Sequence, residues 1–580
     1  MNRKIVSELV LATLLVTILS LGFSIRLLQA SGTIYIRPDG SVDPPTASIQ
    51  RDGDLYKFTG NIYDSIVLER DDIIIDGAGY ILQGTPGMTG ITLQSRNNVT
   101  IKNIRIEGFQ FGILLTFSSN CHISRNTVTI SFDVGIRILG SSENSVCENN
   151  ITKNDCGIFL SSSSSNNVCQ NNITSNNQYG IGLYESPSNT ISGNNIVSNN
   201  VYGIWLYESS NNNTMFGNSI GNNMWGIGLG YSSSNIISGN NMTNNEESIN
   251  LRESSKDTIS GNSITNNVHG VNLSNSSYSN LSGNTISNNT WGIQLVSSHK
   301  NQFYENKIFF NNEQGIELSA SYGNTLSRNN VSKNGIGILL SDSDNNTISG
   351  NKISENNYGL SLASCGNNTI YHNNFINNTR AVHPVFDFPP FSNIWDDVYP
   401  SGGNYWDDYK GTDNRWGENQ DSSGSDMIGD VPYVIDENNK DRYPLMRPWP
   451  MNCWVFEDCL VKAISNSTIM DFNFDKEIGE MSFNVAADTS DACKVIVSKG
   501  LLDGAFNFII DNVPSACSIS WSSEFHMINF TYTSGTHSVK IIGEFANRPS
   551  LVEFPDINGD CYIGIKDLYA VARHFGESCP

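Results

Sequence analysis

A unit of about 22 residues repeats through the middle of the chain, from about residue 88 to residue 378. Each unit starts with a Gly-Ile-x-Leu run, where x varies, then passes through a polar turn into an Asn-x-Ile-Ser-Gly-Asn run and turns again. The first position of the unit recurs at Gly90, Gly112, Gly135, Gly157, Gly180, Gly203, Gly226, Ser248, Gly270, Gly292, Gly315, Gly337 and Gly359. A repeat of this length predicts a stack of equivalent structural units.

Every unit holds two short apolar pieces between Asn-rich and Ser-rich corners, such as Ile181/Leu183 and Ile191/Ile196. Neither piece can bury its apolar face alone, but each can pair with its equivalent one unit away, about 4.8 Å distant. We therefore predict an all-β fold, a right-handed parallel β-helix of about 13 coils and roughly 60 Å in length. The Asn residues are assigned to corners and to stacking along the coils. A leucine-rich horseshoe is the alternative, but it needs a helical segment for which no unit has room.

The regions on both sides of the repeat differ from it in composition. Residues 31–87 contain short strands that we expect to form an N-terminal β cap and the first coils, because solenoid ends need protection. Residues 379–448 lose the period, are rich in Trp, Tyr, Pro and Asp, and are predicted to form the C-terminal cap. Residues 450–548 show the short alternating strands of a small β-sandwich.

The N-terminus and the charge of the chain indicate where it acts. Residues 1–30 combine a basic start, the apolar run Leu9–Phe23 and a cleavage signal at Ala30-Ser31, which predicts a signal peptide and an extracellular or cell-surface protein. The alternative is an uncleaved membrane anchor, and we expect no other membrane contact. The formal net charge of −23 argues against nucleic acid as a partner, since its recognition uses clustered Lys and Arg.

The 11 cysteines of an exported chain favour disulfides. Their connectivity is open, and by proximity the candidate pairs are Cys453 with Cys459, Cys493 with Cys517, and Cys561 with Cys579. The repeat also generates many Asn-x-Ser/Thr sequons, which are potential glycan sites on an exported protein. They include Asn98, Asn150, Asn172, Asn272 and Asn377.

Several motifs resemble the NosD-like group of carbohydrate-binding and sugar-hydrolase (CASH) β-helices, whose PbH1-type repeats are common in surface proteins. The resemblance covers about residues 33–448. The motifs are Tyr35-Ile-Arg-Pro-Asp-Gly40, Ile75-Asp-Gly-Ala-Gly79, Gly403-Asn-Tyr-Trp-Asp-Asp-Tyr409, Ile428-Gly-Asp-Val-Pro-Tyr433 and Tyr443-Pro-Leu445. The resemblance implies copper as well, but the scattered histidines show no ligand spacing, so we expect no copper site.

The end of the chain, residues 553–580, resembles a single dockerin-type half-repeat, a calcium-binding loop followed by a helix. The resemblance implies calcium ligands at loop positions 1, 3, 5, 7 and 12, which are Asp556, Asn558, Asp560, Tyr562 and Asp567. Cys561 stands where the motif has Gly, and the second half-repeat is absent. We therefore predict calcium binding that stabilises the C-terminus, and docking to a cohesin-like protein is the alternative.

A second calcium candidate lies in the predicted C-terminal cap. Asp421, Asp426 and Asp430 are carboxylates close in sequence, and such oxygens suit calcium. Ser423 and Ser425 stand where stronger ligands are expected. A simple acidic turn is therefore an equal alternative.

The x positions and their neighbours suggest a carbohydrate-binding surface. Tyr184, Trp205 and Tyr207 fall on the outer face of adjacent coils, with Gly182 and Gly228 expected to leave space beside them. Aromatic faces offer apolar area for sugar rings. Cross-strand packing among the rings is the alternative.

Catalytic candidates are weak. Glu185 and Glu208 occupy matching positions one coil apart, and Glu317 is the acidic residue among the x positions. A glycosidase needs two carboxyl groups with different roles across one sugar, whereas the first two lie side by side. We therefore expect a non-catalytic surface scaffold or carbohydrate-binding module, with glycans or cell-envelope components as partners. The alternative is a polysaccharide lyase or glycoside hydrolase.

Overall fold

The structure, a computed structural model, describes residues 32–383, 391–449, 453–456, 459–465, 467–487, 490–521 and 525–545. The predicted signal peptide (1–30) and the dockerin-like segment (553–580) lie outside the described residues. Throughout the described part the regular elements are β-strands. The same residues contain no helix with the length and apolarity that a membrane crossing requires.

The chain forms a parallel β-helix of about 15 turns, which confirms the predicted fold. Each full coil contributes one strand to each of three long sheets, called here sheets A, B and C. The two apolar pieces seen in the sequence become three strands, because Ile191 and Ile196 lie in different sheets. The coils outnumber the predicted 13 because residues before the repeat also wind into the solenoid, as in the pairing of Ser65–Leu68 with Thr89–Gln94.

The strands of the three sheets follow one another in the order A, B, C along each regular coil. Sheet A contains Thr33–Ile36, Val42–Asp43, Ser65–Leu68, Thr89–Gln94, Phe111–Thr116, Val134–Leu139, Cys156–Ser161, Tyr179–Tyr184, Tyr202–Tyr207, Trp225–Gly230, Glu247–Arg252, His269–Ser274, Trp291–Val296, Gln314–Ser319, Ile336–Ser341, Tyr358–Ala363 and Arg380–His383. Sheet B contains Ile49–Asp52, Leu55–Phe58, Ile74–Asp76, Thr100–Lys102, His122–Ser124, Ser145–Cys147, Asn167–Cys169, Thr190–Ser192, Thr214–Phe216, Ile236–Ser238, Thr258–Ser260, Asn280–Ser282, Gln302–Tyr304, Thr325–Ser327, Thr347–Ser349 and Thr369–Tyr371. Sheet C contains Ile81–Gln83, Arg105–Glu107, Thr127–Thr129, Asn150–Thr152, Asn172–Thr174, Asn195–Val197, Ser219–Gly221, Asn241–Thr243, Ser263–Thr265, Thr285–Ser287, Lys307–Phe309, Asn330–Ser332, Lys352–Ser354, Asn374–Ile376 and Tyr405–Trp406.

The interior is a set of aliphatic columns. Ile181 of one coil pairs in register with Ile204 of the next, and both are completely buried. Ile191 and Ile196 lie in equivalent columns on sheets B and C. Each buried aliphatic side chain contributes about 1.5–3 kcal/mol relative to exposure, so the columns supply most of the apolar driving force.

Buried asparagines at the three corners of most coils connect neighbouring coils. In one coil they are Asn144, Asn149 and Asn154, each at most 1% exposed. The backbone N–H of Asn149 donates to Oδ1 of Asn171 one coil later (2.9 Å), and its Nδ2 donates to the carbonyl oxygen of Ile123 one coil earlier (2.8 Å). An unpaired buried amide would cost about 1–3 kcal/mol. The three Asn ladders therefore satisfy the corner backbone, as the sequence predicts.

The Gly that begins each repeat is required by close approach between coils. A Cβ at Gly203 would lie 2.6 Å from the carbonyl oxygen of Gly226 and 2.9 Å from Ile220. Ser248 occupies this slot in one coil, and its hydroxyl is buried without a hydrogen-bond partner in the described part of the chain. The repeat thus carries Gly because the backbone of the next coil occupies the space of a side chain.

The C-terminal cap continues and ends the ladders. The N–H of Asn373 donates to Oδ1 of Asn404 (3.0 Å), whose own N–H donates to Oδ2 of Asp441 (2.7 Å). The indole of Trp406 donates to the same carboxylate (2.9 Å) and stacks on Phe375. Asp441 therefore supplies the last acceptor of the ladder between sheets B and C, and Asn439 accepts the last N–H of the ladder between sheets A and B.

After the cap, two antiparallel sheets of five strands each surround one apolar cluster. One sheet contains Cys453–Phe456, Cys459–Ser465, Asp491–Ser498, Ser518–Trp521 and Phe525–Tyr532. The other contains Thr468–Asp475, Glu480–Ala487, Leu502–Ile510, Val513–Pro514 and Gly535–Phe545. Two short hairpins precede them in the cap, Arg415–Trp416 with Ser422–Ser423 and Tyr433–Val434 with Lys440–Asp441.

One disulfide joins Cys147 to Cys169, which are register partners on adjacent strands of sheet B. Proximity in sequence does not reveal this pair, because its members are one coil apart. The predicted pairing of Cys517 is wrong, since Cys517 is a free thiol. The other two candidate pairs stay predictions.

Asp257 interrupts the ladder of Asn residues between sheets A and B and is 1% exposed. Its Oδ1 accepts from the N–H of Asn235 (2.7 Å), while Oδ2 has no partner among the described residues. Burial raises the pKa of Asp257 to about 7, although hydrogen bonds from Asn235 oppose the rise. The folded protein therefore keeps this carboxyl protonated over a pH range in which the unfolded chain ionises it.

We predict that Asp257→Asn increases the free energy of unfolding at neutral pH. The pKa of Asp257 is higher in the folded protein than in the unfolded chain. Its contribution to the free energy of unfolding is therefore fully present below about pH 4 and is lost as the pH rises toward 7. The gain in the free energy of unfolding is at most about 4 kcal/mol, because the pKa of Asp257 rises from 3.8 to about 7 and one pKa unit corresponds to about 1.4 kcal/mol. Melting temperatures of the variant and the wild type, compared at each pH from acid to neutral, measure it.

The reciprocal variant Asn213→Asp, two coils earlier in the same ladder, is the matched control. It should introduce the same loss of stability with rising pH. Burial also raises the pKa of Asp441 to about 7, so only the difference between variant and wild type is informative. A difference that does not change with pH would contradict the prediction.

Candidate ligand-binding face

The outer face of sheet A is the widest regular surface of the solenoid, because its strands in the repeat have six residues and those of sheets B and C have three. Three side chains of each strand point outward: the residue before the Gly, the x residue, and the residue after the Leu. In Tyr202–Tyr207 these are Tyr202, Trp205 and Tyr207, all half-buried. Side chains on this face can change without disturbing the aliphatic interior.

Seven aromatic residues form one patch over three coils, six of them on this face and Tyr231 at the corner that follows it. The aromatic patch consists of Tyr179, Tyr184, Tyr202, Trp205, Tyr207, Trp225 and Tyr231. The ring centroid of Trp205 lies 4.9 Å from that of Tyr179 and 5.1 Å from that of Tyr207, and both pairs of planes are within 14°. Tyr202 stacks on Trp225 at 4.6 Å. Such pairs contribute about 0.5–1.5 kcal/mol each beyond burial, so the rings hold one another in place.

The predicted sugar-binding residues Tyr184, Trp205 and Tyr207 all belong to the aromatic patch. The prediction that Gly182 and Gly228 leave open space beside the rings is wrong, because other aromatic rings fill both positions. A Cβ at Gly182 would lie 2.7 Å from the ring of Phe159, and the ring of Tyr202 covers Gly228. These glycines let rings from neighbouring strands lie against the backbone, which makes the surface continuous.

The next four coils carry polar side chains on the same face. The polar patch consists of Glu247, Asn250, His269, Asn272, Trp291, Gln294, Gln314 and Glu317. Glu247 is the register partner of Trp225, so the polar patch continues directly from the aromatic patch. From Tyr179 to Glu317 the two patches span six coil spacings, roughly 29 Å at about 4.8 Å per coil.

Hydrogen bonds fix the carboxylates at the two ends of the polar patch. The amides of Asn250 and Asn272 both donate to Oε2 of Glu247, the second at 3.5 Å. Nε2 of Gln294 donates to Oε2 of Glu317 (3.1 Å). The side chains are therefore held in defined orientations.

His269 and Glu317 belong to the polar patch and contact neighbouring side chains in it. The imidazole of His269 stacks on Trp291 at 4.5 Å and 11°. Burial raises the pKa of Glu317, while the hydrogen bond from Gln294 and the nearby charge of His269 act in the opposite direction. Glu317 is thus the one catalytic candidate from the sequence that lies on this face among other polar groups.

Three buried polar atoms of the polar patch have no hydrogen-bond partner within the described residues. They are Nδ1 of His269, Oδ1 of Asn272 and Oε1 of Gln314. Beside the patch, a cavity of about 620 Å³ lies along the corner between sheets C and A, lined by residues such as Glu246, Val268 and Thr290. These residues immediately precede Glu247, His269 and Trp291 in the chain.

Glu185 and Glu208 lie at the corner that follows sheet A, rather than on its face. Both have a left-handed backbone, with φ of 48°. Glu185 is exposed and accepts a hydrogen bond from the hydroxyl of Ser162 (3.3 Å). They occupy neighbouring coils, and their catalytic role stays a prediction.

In the cap loop, backbone N–H groups and side-chain donors hold the carboxylates. Asp430 accepts from the N–H groups of Asn414 and Arg415, and buried Asp426 accepts from Nε2 of Gln420 (2.9 Å). Burial raises the pKa of Asp426. No group of three or more His, Cys, Asp or Glu that could hold a metal occurs in the described part of the chain. Calcium binding by Asp421, Asp426 and Asp430 stays a prediction.

Sequence reasoning missed the outward residue before each Gly. Tyr179, Tyr202, Trp225, His269 and Trp291 all occupy this position. Strict alternation does not extend past the Gly, because the Gly and the following aliphatic residue are both buried. The recurrence of aromatic residues one position before the Gly is the signal that could have revealed them.

Comparisons with known proteins support the fold. The model of the family described as periplasmic copper-binding protein (NosD) matches residues 81–225 and 305–411, and the model of the right-handed beta helix region matches residues 185–330. No curated protein matches the sequence. The chain is therefore a right-handed parallel β-helix protein with similarity to NosD.

Solved structures of similar fold come from several kinds of protein. A mutant of the periplasmic alginate epimerase AlgG shares 14% identity, covers 61% of this chain and 84% of its own, and has a TM-score of 0.33. A mutant tailspike protein of E. coli bacteriophage HK620 shares 11%, with 83% and 86% covered and a TM-score of 0.32. PfbA, a surface adhesin of Streptococcus pneumoniae, shares 13%, with 53% and 84% covered and a TM-score of 0.32. Likeness at this level concerns the fold alone.

We predict that Gly228→Ala disturbs the aromatic patch without unfolding the solenoid. The added Cβ would displace the ring of Tyr202, which stacks on Trp225. The near-UV circular dichroism of the rings should decrease while the far-UV spectrum of the sheets is unchanged. Thr92→Ala, at the same strand position far from the rings, should change neither spectrum, and an unaltered near-UV signal in Gly228→Ala would show that the rings do not pack as described.

Proposed function

We propose that this protein is an exported, non-catalytic β-helix that binds glycans along the outer face of sheet A. The observation that carries the proposal is the aromatic patch, a continuous surface of seven rings adjoining a polar patch on a regular sheet. Aromatic side chains combine apolar area with polar edges, which suits the apolar faces and hydroxyl rims of sugars. Glycans or cell-envelope components are the partners of such a surface.

Export is supported by the residues before the solenoid and by the family similarity. Residues 1–30 have the pattern of a signal peptide, and the matched family is described as periplasmic. We propose a cell-surface or extracellular location on this basis. It places the Cys147–Cys169 disulfide in an environment where disulfides persist.

The copper named in the description of the matched family does not fit the side chains of the described residues. Copper sites use clustered imidazole and sulfur ligands, and the described residues contain no suitable group of three or more His, Cys, Asp or Glu. We therefore assign no copper chemistry to this chain.

A polysaccharide-degrading activity is the second candidate, and Glu317 is the observation that favours it. A half-buried carboxyl whose pKa is raised by burial is suited to general acid work. Its nearest acidic counterpart within the polar patch, Glu247, stands three coils away, roughly 14 Å between backbones. Glycosidases place their two carboxyl groups about 5–9.5 Å apart, so the binding role is better supported.

We predict that Trp205→Ala weakens retention on immobilised polysaccharide at least about tenfold, or about 1.4 kcal/mol. Trp205 contacts Tyr179 and Tyr207, so its loss removes the centre of the aromatic patch. Affinity electrophoresis in a panel of polysaccharides measures retention, and a parallel assay of reducing and unsaturated ends tests for cleavage. Trp205→Leu, which keeps apolar volume but removes the ring, should show the same loss if Trp205→Ala fails to fold.

Phe216→Ala is the matched control, because Phe216 is an exposed ring of sheet B on the same coil. It should leave retention unchanged. Retention that survives both Trp205 variants would place the binding surface elsewhere. Release of cleavage products that stops in Glu317→Gln would favour the enzyme instead.

We further propose that the C-terminal segment binds calcium through Asp556, Asn558, Asp560, Tyr562 and Asp567. The support is their spacing, which matches the oxygen ligands of a calcium loop. Alanine at Asp556 and Asp567 together should remove one bound ion in titration calorimetry. The same change at Asp421 and Asp430 tests the cap loop, and an unchanged stoichiometry would reject the corresponding site.

The same terminal segment could instead dock a cohesin-like protein, as its resemblance to half of a dockerin implies. Cys561, which stands where the dockerin motif has Gly, supports the role of a calcium-stabilised C-terminus over docking. Binding of a cohesin domain that depends on calcium would favour the docking role.

A further inference from the structure

We propose that the polar patch is a binding site for uncharged sugar units, which makes the protein a receptor for a neutral polysaccharide rather than for a polyuronate. This inference rests on the proposed glycan-binding function and names its ligand class. It depends on residues outside the aromatic patch. Three features support it: the buried polar atoms of the patch that have no hydrogen-bond partner among the described residues, the carboxylates of Glu247 and Glu317, and the adjoining cavity.

The buried acceptor atoms of the polar patch that have no hydrogen-bond partner among the described residues call for a ligand with hydrogen-bond donors. Oδ1 of Asn272 and Oε1 of Gln314 are acceptors that are buried without a donor among the described residues. The orientation of the Asn272 amide is fixed, because its Nδ2 donates to Glu247 and an exchanged oxygen would face a carboxylate. A buried acceptor without a donor costs about 1–3 kcal/mol, which a ligand hydroxyl would recover.

The charged groups of the patch decide between classes of sugar. Glu247 and Glu317 lie at its two ends and accept hydrogen bonds from protein amides. Sugar hydroxyls can donate to the remaining lone pairs of both carboxylates, whereas a uronate would bring like charge toward them. The cation on the adjoining strand position, Arg252, is exposed and lies at one edge. The patch therefore favours a ligand with many hydroxyl donors and no negative charge.

The shape of the surface allows a chain to occupy it. The open cavity of about 620 Å³ lies at the corner before sheet A and is lined by residues of the same coils, such as Glu246, Val268 and Thr290. The aromatic patch continues the face on the other side through Trp225, the register partner of Glu247. A polysaccharide could thus place several sugars along one line, with rings over the aromatic patch and hydroxyls over the polar patch.

The test is affinity electrophoresis of the full chain in a neutral galactomannan, a neutral β-glucan, polygalacturonate and alginate. We expect retardation by a neutral polysaccharide and none by the two polyuronates. Asn272→Ala and Gln314→Ala should each weaken that retardation about five- to tenfold, the effect of one lost hydrogen bond. Thr92→Ala, on the same face but distant, should have no effect, and equal melting temperatures would show that the variants fold.

The outcomes separate this inference from the proposed function. Retardation by a neutral polysaccharide that Trp205→Ala abolishes but Asn272→Ala and Gln314→Ala leave intact would overturn the inference and keep the function. Stronger retardation by a polyuronate would do the same. No retardation by any of the four would overturn both.

Discussion

The hydrogen bond from a corner backbone N–H to the side-chain oxygen of an Asn one coil later is the interaction on which the solenoid depends. Backbone hydrogen bonds between coils satisfy the strands and the residues that flank the corners, but the N–H of the corner Asn itself points to a side chain. The Asn ladders supply that side chain at three places in most coils, as Asn149 and Asn171 show at one corner. With the corners satisfied, the aliphatic columns can be dry and close-packed.

This internal order leaves the outer face of sheet A free to carry function. The identity of Ile204 and Leu206 is fixed by the interior, while Trp205 between them makes no contribution to the columns. The aromatic patch and the polar patch can therefore differ from coil to coil without a cost to the fold. Regular spacing in turn gives these side chains a fixed distance from one coil to the next, which suits a ligand that is itself a repeating chain.

The sequence predicts the repeated parts of the structure well and the particular contacts poorly. The period alone reveals the solenoid, because thirteen sequence units with the same pattern must adopt the same local structure. The rings that fill the space at Gly182 and Gly228 depend on side chains of neighbouring coils, which a reading along the chain does not connect. The Cys147–Cys169 disulfide and the pairing of Gln294 with Glu317 were missed for the same reason. The outward residues before each Gly escaped because the strand leaves strict alternation at that point.

The direction of the ladders has a consequence for how such a chain can change in length. Each coil receives acceptors from the coil after it, and the cap supplies the final acceptors of two ladders through Asp441 and Asn439. A whole unit can be added or removed internally with every donor still matched, and the turns absorb small differences in length, since the ladder spans 24 residues from Asn189 to Asn213 and 22 from Asn213 to Asn235. The rod is therefore adjustable in discrete steps of one coil, and the reach of its outer face can be lengthened or shortened by duplication without redesign of either end.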